Sequence, residues 1–171
     1  MLVFLDTEFT DFIDCELISI GMVTAEGRDF YAEVQDFDIA KCNQFVRGAV
    51  CESLGKAANS PVSRAALPER IRAWFSSLST DALVACDNLI DWELLLDALG
   101  DDIPSNIIGR YDLAPLAQLP QFQRAAAAYH AEAGHPWHHA LHDAHAQRAG
   151  WLAIRASGND DQPSSPADRS S

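Results

Sequence analysis

Positive charge is what this chain of 171 residues has least of: 12 Lys and Arg stand against 25 Asp and Glu, a formal net charge of −13. Wrapping a long nucleic-acid duplex takes clustered cations that neutralise many phosphates, so the balance argues against that mode of binding. Cysteine is scarce as well. Cys15, Cys42, Cys51 and Cys86 show no C-x-x-C spacing, which points away from a thiolate zinc motif or a redox dithiol and leaves reduced thiols, with Cys86 in the core. Met1 leads directly into an apolar strand without a basic segment, a long apolar run or a cleavage site. No later stretch approaches the ~20 apolar residues of a membrane span, so a cytoplasmic protein without a membrane partner is expected.

What the chain does have is enough apolar residue for one sizeable core, 48% of the total, and a readable order of elements. Leu2 to Leu5 form a continuous apolar run, as suits a strand buried on both faces. ELISIGMVT at 16–24 and RDFYAEVQ at 28–35, joined by the turn AEG, extend it into a three-strand meander. DIAKCNQFVRGAV from Asp38, a candidate N-cap, reads as a short helix or an irregular crossover. A helix is expected from Ser63 or Arg64 to Leu78, its regular part beginning near Pro68. The strand ALVAC at 82–86 follows, then a helix capped by Asp87 and ended by Gly100.

IIGRYDL at 107–113 is the next strand, LAPLAQLP a broken helical segment, and QFQRAAAAYHAEAG a helix stopped by Gly134 and Pro136. A final helix runs from about His139 to Ala156. These elements make residues 1–156 one domain with a mixed α/β sheet, the first strand central and helices covering it. Residues 157–171, rich in Ser, Pro and Asp, have the composition of a disordered tail.

The first strand ends on charge. Asp6 and Glu8 stand at strand spacing and leave the same face, with Thr7 pointing the other way. Two anions side by side repel and lose hydration, and a bound cation or a raised pKa relieves them. With 25 acids in the chain, about 3.6 such pairs arise by chance, so the pair needs downstream partners before it means a metal site. Asp91, one turn into the helix after the 82–86 strand, either complements the helix dipole or leans over the end of the first strand. His138 and Asp143 are five residues apart, ~140° around a helix, and can share a site only if His138 lies on the approach loop that Gly134 and Pro136 provide. The alternatives for the histidine cluster are a solvated helix start or zinc held by pairs such as His138 with His142.

Asp6-Thr7-Glu8-Phe9, then Asp91, then His138-His139-Ala140-Leu141-His142-Asp143-Ala144 resembles the three motifs of the DEDDh 3′→5′ exonucleases. The resemblance is greatest to the compact bacterial exoribonuclease branch and covers roughly residues 1–155. In that family Asn often stands four residues before the second-motif aspartate. Here Asp87 holds that place, which leaves it in competition with Asp91. The resemblance implies a ribonuclease H-like fold and two Mg²⁺ or Mn²⁺ ions, with Asp6, Glu8, Asp91 and Asp143 as ligands and His138 as general base. Oxygen ligands without thiolates suit such ions, and two of them would move −13 to −9. Thr7 and Phe9 would line the terminal nucleotide, Phe9 by stacking or else as core.

The expected activity is hydrolysis of single-stranded 3′ ends, RNA favoured over DNA, releasing nucleoside 5′-monophosphates. Relatives are often homodimers. The competing expectation, a catalytically silent nucleic-acid-binding or scaffold module of the same fold, would predict loss of one of these acids or of the histidine. All are present.

Overall fold

The computed structural model of the chain describes residues 1–13, 15–132 and 134–158. Its frame is a six-stranded sheet in the order β4-β3-β2-β1-β5-β6. The strands are β1 Leu2–Phe9, β2 Leu17–Thr24, β3 Asp29–Val34, β4 Pro61–Val62, β5 Ala82–Cys86 and β6 Ile107–Asp112. β1 pairs antiparallel with β2 and parallel with β5, so it is central, flanked by the meander on one side and the parallel strands on the other. The pair of residues forming β4, parallel to the end of β3, is too short to leave a pattern in the sequence.

The helices are α1 Gln44–Ala49, α2 Leu67–Ser76, α3 Leu89–Leu99, α4 Ala114–Ala117, α5 Pro120–His130 and α6 Ala140–Ala156. Single 3₁₀ turns at Ile39–Lys41 and Cys51–Ser53 flank α1, the first capped by the Asp38 side chain. α2 opens with Pro68 in its first turn, where the missing N–H costs nothing. One expectation fails: Asn88, not Asp87, caps α3, its side chain accepting from the Ile90 amide at 3.2 Å. As the chain leaves β5 it carries Asp87 along the sheet edge. Asn88 is the residue whose extended backbone meets the first free amides of the helix.

Alternation along β1 divides the core into two layers. Val3 and Leu5 pack with Ile71, Phe75, Leu94 and Leu95 of α2 and α3. Leu2 and Phe4 pack with Phe122 of α5 and with Ala144 and Ile154 of α6. Continued by parity, Asp6 and Glu8 face α6, while Thr7 faces α3. The tail expected from residue 157 lies, beyond Gly158, outside the described residues. Among those described, no helix is long and apolar enough to cross a membrane.

Candidate active site

The carboxyl end of β1 is where the two layers meet. Asp6 pairs across the ladder with Gly21 of β2, so the two share a face. Because Gly21 has no side chain, the start of α6 rests directly on it, and a methyl there would overlap the backbone of Ala140 and Leu141. That contact places Asp143, in the first turn of α6, over Asp6 and Glu8. Carboxylate oxygens of Asp6, Glu8 and Asp143 all lie within 4.8 Å of one another, and among the described residues no other three His, Cys, Asp or Glu side chains converge in this way.

Asp91 arrives from the opposite layer. Its Oδ1 accepts from the Thr7 backbone N–H at 3.1 Å and from the Thr7 hydroxyl at 2.6 Å, and its side chain is buried. Thr7 therefore ties α3 to the strand that carries the other two acids, and its hydroxyl is committed to that tie. Asp87 also turns into the cleft. The amide nitrogen of Gln147, one turn beyond Asp143 on α6, donates to Asp87 Oδ1 at 3.3 Å and to Asp6 Oδ1 at 3.4 Å.

Burial raises the pKa of each of these five carboxyls, and for Asp6, Glu8 and Asp91 the charges of their neighbours add to it. Asp6 lies well above the usual carboxylate range, first through burial and then through the charges of Asp91, Asp143, Glu8 and Asp87. Burial, with Asp143 and Asp91, pushes Glu8 up to about 8. Asp91 rises to about 7 through burial, against the lowering effect of the Thr7 hydrogen bonds. Burial also raises Asp143, offset in part by the His139 amide, which donates to its Oδ2 at 2.9 Å. The latter bond is a helix cap run backwards, from a first-turn carboxylate to the N-cap N–H.

His138 stands on the loop before α6 with a left-handed backbone, φ 58°. That conformation lets it face the cleft, with its exposed ring edge-on to Phe45 at 4.8 Å. His142 does not join it: His142 lines a separate pocket with His135 and His139, so the pair of His138 with His142 is not formed. Phe9 is half-buried, packed on the core, set against Phe12 at 5.0 Å, and also borders the cleft.

The cleft has a volume of about 530 Å³. Its lining includes four residues that the motifs do not single out, Phe122, His130, Trp137 and Gln147. Gln147 could have been found, since it lies four residues beyond Asp143 on the same helix face. His130 could not. It ends α5, and only the packing of α5 on α6 sets its Nε2 3.1 Å from Asp143 Oδ1, too obliquely to make a hydrogen bond.

A mixed sheet with a central strand delivering acids to its carboxyl end, closed by an acid on the last helix, is the ribonuclease H-like architecture. No family model matches the chain, and no curated protein sequence matches it. Among solved structures it is similar to S. pombe Pop2p in its Mg²⁺- and Mn²⁺-bound form, with a TM-score of 0.66 and 15% identity over 95% of this chain and 85% of that one. At that identity the likeness is one of fold.

Proposed function

We propose that the protein is a divalent-metal-dependent 3′→5′ exonuclease of the DEDDh type. It would remove nucleoside 5′-monophosphates from single-stranded ends, with RNA favoured as in the compact bacterial exoribonucleases its motifs resemble. A single observation carries the reading: three half-buried carboxylates, on β1 and α6, bring oxygens within 4.8 Å of each other with no Lys or Arg lining the cleft. Such an arrangement is costly unless protons or metal ions neutralise it. An all-oxygen donor set fits a hard ion such as Mg²⁺ or Mn²⁺, the ions bound by the solved structure of similar fold.

In this reading Asp6, Glu8 and Asp143 would hold one ion. Asp6 with Asp91, which also lines the cleft and whose Oδ1 is engaged by Thr7, would hold a second. Bound there, the ions would supply Lewis acidity to an attacking water and charge stabilisation to the leaving 3′ oxygen. The remaining work belongs to the chain. His138 accepts the proton of the attacking water from its place on the loop. Asp143 is held by the His139 amide, and Gln147 steadies Asp6. Phe9 and the backbone of Thr7 border the terminal nucleotide. A homodimer is the assembly the resemblance implies.

The test is to incubate 5′-labelled RNA and DNA oligomers with Mg²⁺, Mn²⁺ or EDTA. A ladder shortening from the 3′ end, absent in EDTA and reduced by several orders of magnitude in Asp6→Asn and Asp143→Asn, is expected. Full activity in EDTA or in either variant would sink the proposal.

A further inference from the structure

The lining of the cleft contains Asp6, Glu8, Asp87, Asp91 and Asp143 but no Lys or Arg. A polyanion approaching it finds no Lys or Arg there to neutralise phosphates. Whatever the ions contribute at the scissile phosphate, nucleotides held within the cleft need a source of affinity other than Lys or Arg. The alternative source of affinity for single strands is stacking of unpaired bases on aromatic rings, which every base permits.

Three aromatic residues border the cleft apart from histidine: Phe9, Phe122 and Trp137. Phe122 is buried at 5% exposure, its ring filling the gap left by Gly150 of α6. Phe9 packs on the core and is met by the Phe12 ring. Trp137 differs from both. It is 55% exposed, and one face of its indole lies on the His130 imidazole, centroids 3.8 Å apart and planes 22° from parallel. His130 is itself fixed, buried at 8% exposure, its Nδ1 donating to the His135 carbonyl at 3.1 Å. The indole is thus backed by a fixed ring on one face, more than half exposed, and on the border of the cleft immediately before His138.

We propose that Trp137 is the stacking platform for an unpaired base belonging to one of the last two nucleotides of the substrate. This deepens, and rests on, the nuclease reading. A base laid on the indole continues the stack that begins at His130, and the preorganised platform loses little freedom on binding. Because the same loop carries His138, a nucleotide seated on Trp137 has its phosphate delivered beside the general base. The substrate class that follows is a single-stranded end of mixed sequence, since stacking accepts every base and a paired base has no free face to offer.

The experiment is a cycle between protein and substrate. Single-stranded oligomers carrying an abasic residue at each of the last three positions, and the intact oligomer, are given to the wild type, Trp137→Ala and Trp137→Phe. In the wild type, removing one particular base of the last two should lower kcat/KM about 5- to 150-fold, chiefly through KM. In Trp137→Ala the intact oligomer should suffer a similar loss and the abasic one no more than about a twofold further loss. Trp137→Phe should recover most of the affinity. Anisotropy of the same labelled oligomers with Ca²⁺ in place of Mg²⁺ gives the same comparison without turnover. An abasic penalty as large in Trp137→Ala as in the wild type, by rate or by anisotropy, overturns the platform while leaving the nuclease intact. If the wild type shortens no oligomer in Mg²⁺, the nuclease reading fails instead, and the anisotropy cycle alone then decides the platform.

Discussion

Gly21 and Ala140 touch backbone to backbone: the α-carbon of the strand residue is covered by the first residue of α6, with no room for a methyl group between them. Gly21 is also the ladder partner of Asp6, so the contact that seats the helix lies next to the acid over which the helix must place Asp143. Gly21→Ala is expected to cost about 1–3 kcal/mol of stability, as overpacking does. Activity should fall by more than tenfold even where the variant is fully folded. Denaturant midpoints and initial rates on the same preparation check both.

The raised pKa values make the metal-free protein sensitive to base. Glu8 moves from 4.5 to about 8 and Asp91 from 3.8 to about 7, so between these limits the native state binds more protons than the unfolded chain. The stabilising contribution of those protons is complete below about pH 4 and is lost as pH rises through 7 to 8. In EDTA the melting temperature should therefore fall from pH 5 to pH 8.5. Mg²⁺ at millimolar concentration should flatten the decline and release protons on binding. A melting temperature in EDTA that rose over this range would contradict the protonation assigned to the cleft.

His138 can be tested without straining its loop. Its φ of 58° is unfavourable for alanine but open to asparagine and glycine. His138→Asn and His138→Gly should each lower kcat about 100-fold or more with little change in melting temperature. His145, paired with Asp29 at 2.9 Å, should tolerate alanine within a few-fold. His139→Ala should lose stability more than rate. Its ring stacks on Tyr31 at 4.5 Å, but the group that holds Asp143 is its backbone N–H, which alanine retains.

Thr7 separates a hydroxyl from a methyl at one position. Thr7→Ser keeps the 2.6 Å bond to Asp91, whereas Thr7→Val removes it and leaves only the backbone donor. Thr7→Val should raise the Mg²⁺ concentration needed for half-maximal rate by about 10-fold or more, the scale of losing an outer-shell partner. Thr7→Ser should stay near wild type. Equal effects of the two substitutions would show that packing, and not the hydrogen bond, sets the position of Asp91.

The elements whose signals are local were legible in advance. The apolar run ending in Asp6 and Glu8 is β1, the meander and the 82–86 strand fall where β-rich and short apolar runs put them, and Gly100 ends α3 with φ 63°. The choice between Asp87 and Asn88 as cap was not legible, because both side chains can bond a helix N-terminus. The path of the chain out of β5 decides it. The loop before α6 was legible in part: glycine and proline mark it, but the left-handed backbone at His138 is a tertiary outcome. His130 left no trace in the sequence, for a buried histidine ending one helix is placed by the helix it meets.

The acids on β1 and the acid on α6 come from opposite ends of the described chain, 137 residues separating Asp6 from Asp143. The strands and α3 bring Asp6, Glu8 and Asp91 to one sheet edge, but without α6 there is no Asp143 to meet the two acids of β1. The three-carboxylate seat comes into being only when the last helix lands on Gly21. The docking that completes the sheet's second layer is therefore also what assembles the three carboxylates, and on the proposed reading a chain without it would lack a seat for metal rather than be inhibited.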